Sequence, residues 1–126
     1  MALPKGRLLD ETAQLLRSAG WGLTGYHKNT RLYRFDSAKF PQLFTKVFNE
    51  KDIPVQVAIG NYDLGICGLD WIEELLTKYP SSALVRVMDL GYGSGALYLV
   101  AGSTSRLSSV EEAVSRMHTL RIASEY

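Results

Sequence analysis

Apolar residues recur at helical spacing over 8–19, where Leu8, Leu9, Ala13, Leu15 and Leu16 share one stripe and Asp10 and Glu11 occupy the first turn. The spacing predicts a helix there, ended by Gly20. Ahead of it stand only about three residues before Pro4, a stub of strand. Alternation is poor over 24–36, yet Leu32, Tyr33 and Phe35 around Arg31 and Arg34 predict a strand with a polar rim. The run Leu43-Phe44-Thr45-Lys46-Val47-Phe48 fits a strand or a buried helical turn, and its β-formers favour the strand.

Asp52-Ile53-Pro54 predicts a helix start, with Asp52 as N-cap and proline in the first turn, and Gly60-Asn61 closes that helix. A short apolar strand over 63–67 is bounded by glycines, and Gly68-Leu69-Asp70 leads into a helix over about 71–78 that stops near Pro80. Strands are predicted at 83–90 and 96–101, then a helix at 109–118 and a strand over 120–123. Strands alternating with helices indicate an α/β fold with a largely parallel sheet. The short first strand and the uncovered last one make both ends look cut.

A length of 126 residues suits one domain with a real core, and 46% hydrophobic with 21% charged residues is ordinary for a soluble globular protein. A net charge of +1 with no block of like charge argues against nucleic-acid binding by bulk electrostatics. No apolar run approaches the roughly eighteen residues of a membrane span, and no signal-peptide pattern opens the chain. Cys67 is the single cysteine, which excludes an internal disulfide, and His27 and His118 are too few for a zinc cluster. The expectation is a cytoplasmic chain with no metal of its own, no nucleic-acid partner and no membrane.

Three stretches carry candidate chemistry. Lys5-Gly6-Arg7 sets two cations beside the start of a helix, whose unpaired N–H groups and dipole favour an anion; the alternative is a solvated turn. Within Asp63-Leu64-Gly65-Ile66-Cys67-Gly68-Leu69-Asp70, the glycines permit close backbone approach at the edge where open α/β sheets bind ligands. Asp70 is either part of that edge or the N-cap of the next helix. Arg31 and Arg34 suit bidentate contact with phosphate, or else the surface. Gly91-Tyr92-Gly93-Ser94-Gly95 resembles a dinucleotide fingerprint only superficially, because the strand-like 96–101 follows where a helix would be needed. A hinge or tight turn between two strands is the better account.

Four runs stand in one order: Ala2-Leu3-Pro4-Lys5-Gly6-Arg7-Leu8, Lys51-Asp52-Ile53-Pro54, the 63–70 run above, and Arg121-Ile122-Ala123-Ser124-Glu125-Tyr126. Together they resemble the ATP phosphoribosyltransferase family, and the resemblance runs the length of the chain. It implies an α/β fold similar to type II periplasmic binding proteins, with the active site in the cleft between two lobes. Residues 1–92 would be one lobe nearly complete and 93–126 the beginning of a second, a strand, helix and strand.

The reaction implied is the first step of histidine biosynthesis. It joins N1 of ATP to C1 of phosphoribosyl pyrophosphate (PRPP) with inversion, releasing pyrophosphate, and needs Mg²⁺ carried with the substrates. Arg7 and Arg31 match family arginines and by resemblance stabilise the departing pyrophosphate. Lys5 and Gly6 would line the same site, with Gly68 and Asp70 on the cleft wall. The resemblance further implies a homo-oligomer, with a regulatory subunit in the short enzyme form.

The family usually has a Cys-Arg pair where this chain has Gly95-Ala96, so one polar contact is in doubt. The family's chain also continues past Tyr126 to supply the loop for the 5-phosphate of PRPP. The expectation is therefore a truncated form without turnover of its own. The alternatives are a non-catalytic anion- or nucleotide-binding module on a periplasmic-binding fold, and a plain α/β domain with a solvated charged surface. The absent signal peptide and the Lys5/Arg7/Arg31 set weigh against the module.

Overall fold

A computed structural model describes residues 1–106, 109–116 and 123–125. They form a mixed α/β chain of β1 (Ala2–Pro4), α1 (Leu9–Ser18), β2 (Arg34–Phe35), β3 (Thr45–Phe48), α2 (Ile53–Ala58), α3 (Leu69–Lys78) and α4 (Val110–Arg116). Single 3₁₀ turns occupy Gly6–Leu8, Glu50–Asp52 and Ser103–Ser105. The chain divides into two compact units, Met1–Gly93 and Ser94–Tyr126.

The sheet of the first unit has the order β1-β3-β2. β1 and β3 are parallel, with Ala2, Leu3 and Pro4 opposite Lys46, Val47 and Phe48, while β2 pairs antiparallel with β3. On the other side of β1, Gly65 forms a parallel bridge with Ala2. There the Ala2 N–H donates to the Leu64 carbonyl at 2.8 Å and the Ile66 N–H donates to that of Ala2 at 3.1 Å. Thus the apolar run predicted at 63–67 does join the sheet, although as a bridge rather than a full strand.

All three residues of β1 are buried. Leu3 lies in one core cluster with Met1, Tyr26, Phe35 and Val47 and with Leu9, Ala13 and Leu16 of α1. A Cβ on Gly65 would stand 3.8 Å from that of Ala2, but only 2.5 Å from Ile53 Cγ2 and 3.0 Å from Val57 Cγ2 of α2. Successive strand residues point to opposite faces, so α1 covers the Leu3 face and α2 the Ala2 face. A parallel strand covered on both sides has to be apolar throughout, as this one is.

Several predicted elements are realised differently. The long strand expected over 24–36 shrinks to Arg34–Phe35 plus a bridge between Leu23 and Ser37. Gly22 and Gly25 lie in left-handed conformations there, and the Thr30 N–H turns back to the His27 carbonyl. Asp52 does not cap α2 with its side chain. The Glu50–Asp52 turn already runs helically into α2, so the Ile53 N–H reaches the Glu50 carbonyl, and Asp52 instead accepts a bond from Asn49 Nδ2 at 3.1 Å.

Neither 83–90 nor 96–101 is a strand. β-formers alone do not hold an extended ladder, and among the described residues neither segment pairs with a neighbour; Val85 is 85% exposed and Tyr98 82%. The helix expected at 109–118 is present as Val110–Arg116, where the Ser109 hydroxyl accepts from the Glu112 N–H. His118 and most of the strand predicted over 120–123 lie outside the described residues. Among the described residues no helix is long and apolar enough to cross a membrane.

Ile53, the first residue of α2, is fully buried against Gly65 on the β1 side of the helix. Ile53→Ala is expected to lower stability by about 2–5 kcal/mol in urea unfolding, whereas the more exposed Val55→Ala should change it by less than about 1 kcal/mol. Equal losses would mean that α2 does not seal this face.

Candidate functional site

The carboxyl ends of three parallel segments meet at one edge of the sheet, the place where open α/β sheets take their ligands. β1 runs out into Lys5-Gly6-Arg7, β3 into Asn49-Glu50, and the bridge at Gly65 into Cys67-Gly68. The Lys5 N–H still belongs to the ladder, donating to the Phe48 carbonyl at 2.9 Å. Gly6 then breaks it with φ +80°, a left-handed value that only glycine adopts cheaply, and open space surrounds the position of a Cβ.

Arg7 follows within the 3₁₀ turn, and its guanidinium is held on two sides. Nη2 donates to Glu50 Oε2 at 3.0 Å and Nη1 to the Gly93 carbonyl at 3.3 Å. The other Glu50 oxygen accepts the Leu8 N–H at 3.3 Å. A Cβ on Gly68 would lie 3.5 Å from Arg7 Nη2 and would collide with the Asp70 carboxylate. Arg7, Glu50, Gly68, Asp70 and Gly93 therefore form one cluster. Within it Gly68 is the extended residue ahead of α3 and Asp70 lies in the first turn, a favourable position for a carboxylate.

Lys5 and Arg31 meet elsewhere. They line an open cavity of about 350 Å³ with Thr30, Leu32, Tyr33 and Val47. The candidate residues thus fall into two groups, with Lys5 and Arg31 on the cavity and Arg7, Gly68 and Asp70 around the Glu50 carboxylate. Glu50 escapes the sequence reading because its partner is 43 positions away. An acid two residues past a strand, just ahead of the Lys51-Asp52-Ile53-Pro54 run, is the local signal that points to it.

Hydroxyl groups brace this edge from behind. The Tyr26 hydroxyl donates to the Pro4 carbonyl at 2.6 Å, and those of Thr12 and Tyr92 are 2.7 Å apart. Burial raises the Tyr26 and Tyr92 phenols above their usual range, which keeps both protonated. Gly93 is constrained twice, by φ +80° and by Leu8, whose side chain fills the space of a Cβ. Burial, with the Asp70 and Glu50 carboxylates adding to it, pushes the Cys67 thiol up to about 12. Among the described residues no three His, Cys, Asp or Glu side chains gather in a way that holds a metal.

Parallel segments whose shared carboxyl edge carries cations, a left-handed glycine and a helix start are features with which α/β proteins take anionic ligands. The family model described as HisG, ATP phosphoribosyltransferase, matches residues 49–126, more than half of the sequence. The chain belongs to the ATP phosphoribosyltransferase family. It is 30% identical over its whole length to the ATP phosphoribosyltransferase of Vesicomyosocius okutanii, covering 55% of that protein. It is 33% identical over 99% of its length to that of Pelotomaculum thermopropionicum, covering 40%, and 30% identical over its whole length to that of Rubrobacter xylanophilus, covering 54%. The chain spans about half the length of the curated relatives it matches. Lys5, Gly6, Arg7 and Arg31 precede the family-model match and lie within these pairwise ones.

A thiol raised to about 12 is almost wholly protonated at neutral pH. Alkylation of Cys67 by iodoacetamide at pH 8 is expected to run about a thousandfold slower than that of an exposed cysteine. A rate typical of an open thiol would contradict the burial. Because the unfolded thiol ionises first, stability should fall as pH rises from about 9 towards 12, and Cys67→Ala should lessen that slope.

Proposed function

We propose that the chain forms part of an ATP phosphoribosyltransferase, which transfers the phosphoribosyl group of PRPP to N1 of ATP with inversion and releases pyrophosphate, the first step of histidine biosynthesis. The observation that carries this reading is the gathering of Arg7, Gly68 and Asp70 at the carboxyl edge of the sheet, with Lys5 and Gly6 in the turn that leads to Arg7, in a chain of this family. In the same reading the fold is of the type II periplasmic-binding kind, with 1–92 in one lobe and 93–126 beginning the other. The working protein is a cytoplasmic homo-oligomer, with a regulatory subunit in the short form.

As the bond between C1 and the pyrophosphate oxygen breaks, negative charge collects on the leaving group and positive charge on the ribose ring. Such a reaction asks for cations aimed at the leaving group and for two anionic substrates held in line. Arg31 and Lys5, which line one open cavity, suit one phosphate group. Arg7, at the next turn of chain, suits another, while Gly6 lets phosphate approach the backbone. Gly68 and Asp70 border Arg7, and in this reading they belong to the wall of the substrate cleft. Mg²⁺ carried on the phosphates of the substrates would screen their charge.

Titration of pyrophosphate into the chain by calorimetry tests the site. Arg31→Ala is expected to weaken binding by roughly tenfold or more with little change in melting temperature, because Arg31 is exposed. Absence of binding by the unaltered chain would overturn the reading. In a polypeptide extended to the length of its relatives, Arg31→Ala should lower kcat by about 10²–10³. Binding without any such loss would leave a non-catalytic anion-binding module as the function.

A further inference from the structure

We propose that Glu50 is a positioning residue, whose carboxylate holds the Arg7 guanidinium at the sheet edge in the orientation that meets a phosphate. The inference rests on the phosphoribosyl-transfer reading, in which Arg7 is a phosphate ligand. The two oxygens of Glu50 serve different partners. Oε1 accepts the Leu8 N–H at 3.3 Å and Oε2 accepts Arg7 Nη2 at 3.0 Å. Leu8 stands where the 3₁₀ turn passes into α1, and neither Lys5 nor Leu8 supplies a side-chain cap there. The first N–H groups of a helix have no partner within it, so the Glu50 carboxylate acts as a cap delivered from another part of the sheet.

Burial distinguishes an anchor from a placeholder. The Glu50 side chain is 11% exposed and that of Arg7 47%. The acid is fixed from below, by the turn that follows β3 and by the Leu8 N–H, while the guanidinium it holds remains open to solvent. Displacing Glu50 with an incoming phosphate would strand a mostly enclosed carboxylate and a backbone donor. Leaving it in place costs the ligand only a neighbouring negative charge, and spares it the work of ordering a long flexible side chain. The pairing of Pro4 with Phe48 sets the distance between the two turns, so the holding geometry is built into the ladder.

The test is a double-mutant cycle with pyrophosphate as the probe, using Arg7→Ala, Glu50→Gln and both together in the full chain. Glutamine keeps an oxygen for the Leu8 N–H but turns an amide NH₂ towards Arg7. Expected are weaker binding for Arg7→Ala and a loss of roughly five- to tenfold for Glu50→Gln, with no further loss when Glu50→Gln is added to Arg7→Ala. The same loss in both backgrounds would make Glu50 a cap and nothing more. Tighter binding in Glu50→Gln would make it an obstacle. Either result overturns the proposal. An Arg7→Ala variant that binds pyrophosphate normally would instead remove the reading beneath it.

Should Glu50→Gln fail to fold, the unaltered protein decides by nuclear magnetic resonance. Pyrophosphate should then shift the Arg7 Nε–H signal and leave the Leu8 amide in place. A Leu8 amide that moves in step with Arg7 would mean that the carboxylate lets go, and would sink the idea.

Discussion

The three residues of β1 must be satisfied from four directions, and the first unit is arranged to do so. Their backbone is paired with β3 on one side and with the Gly65 bridge on the other, while α1 and α2 close the two faces. A strand this short has little hydrogen bonding of its own to contribute, so its position comes from burial. That burial explains why Gly65 carries no side chain: a Cβ would be driven into Ile53. It also explains why Tyr26, from a distant loop, donates its hydroxyl to the last carbonyl of the strand.

The candidate site is a consequence of that arrangement. Parallel segments end on the same edge, so the turns after β1, β3 and Gly65 are brought together without any attraction between them. Once there, the charges sort themselves. Two acids, Glu50 and Asp70, border Arg7, while Lys5 and Arg31 share an open cavity. An edge with cations alone would suffer its own repulsion; an edge whose arginine is answered by a mostly enclosed carboxylate does not. The Gly91-Tyr92-Gly93 turn is drawn into the same region through the Arg7 bond to Gly93 and the Thr12–Tyr92 pair.

The family-model match takes in part of this edge. Gly68 and Asp70, within the family match, pack beside Arg7, which precedes it in the chain. The second unit contributes a helix with its serine cap, and an apolar run at 96–101 whose side chains face solvent. A run apolar at successive positions is what a strand covered on both faces needs. Its exposure therefore marks a segment whose composition asks for more neighbours than the described residues supply.

Much of this protein was legible along the chain, and the boundary of legibility is physical. Local chemistry by itself determined α1 and α3, whose apolar stripes have helical period, and the break at Gly20. It also determined the cationic turn after the first strand, and the motifs that mark the family. Tertiary structure alone decided whether β-forming residues become strands. Thr45–Phe48 found a partner and, among the described residues, 83–90 did not, although both have the composition. It alone decided that Lys5 and Arg7, two residues apart, serve different groups, and that Glu50 answers Arg7 across 43 positions. A helix is closed by bonds between near neighbours and can be read locally; a ladder, a cavity and an ion pair are each made by residues that only the fold brings together.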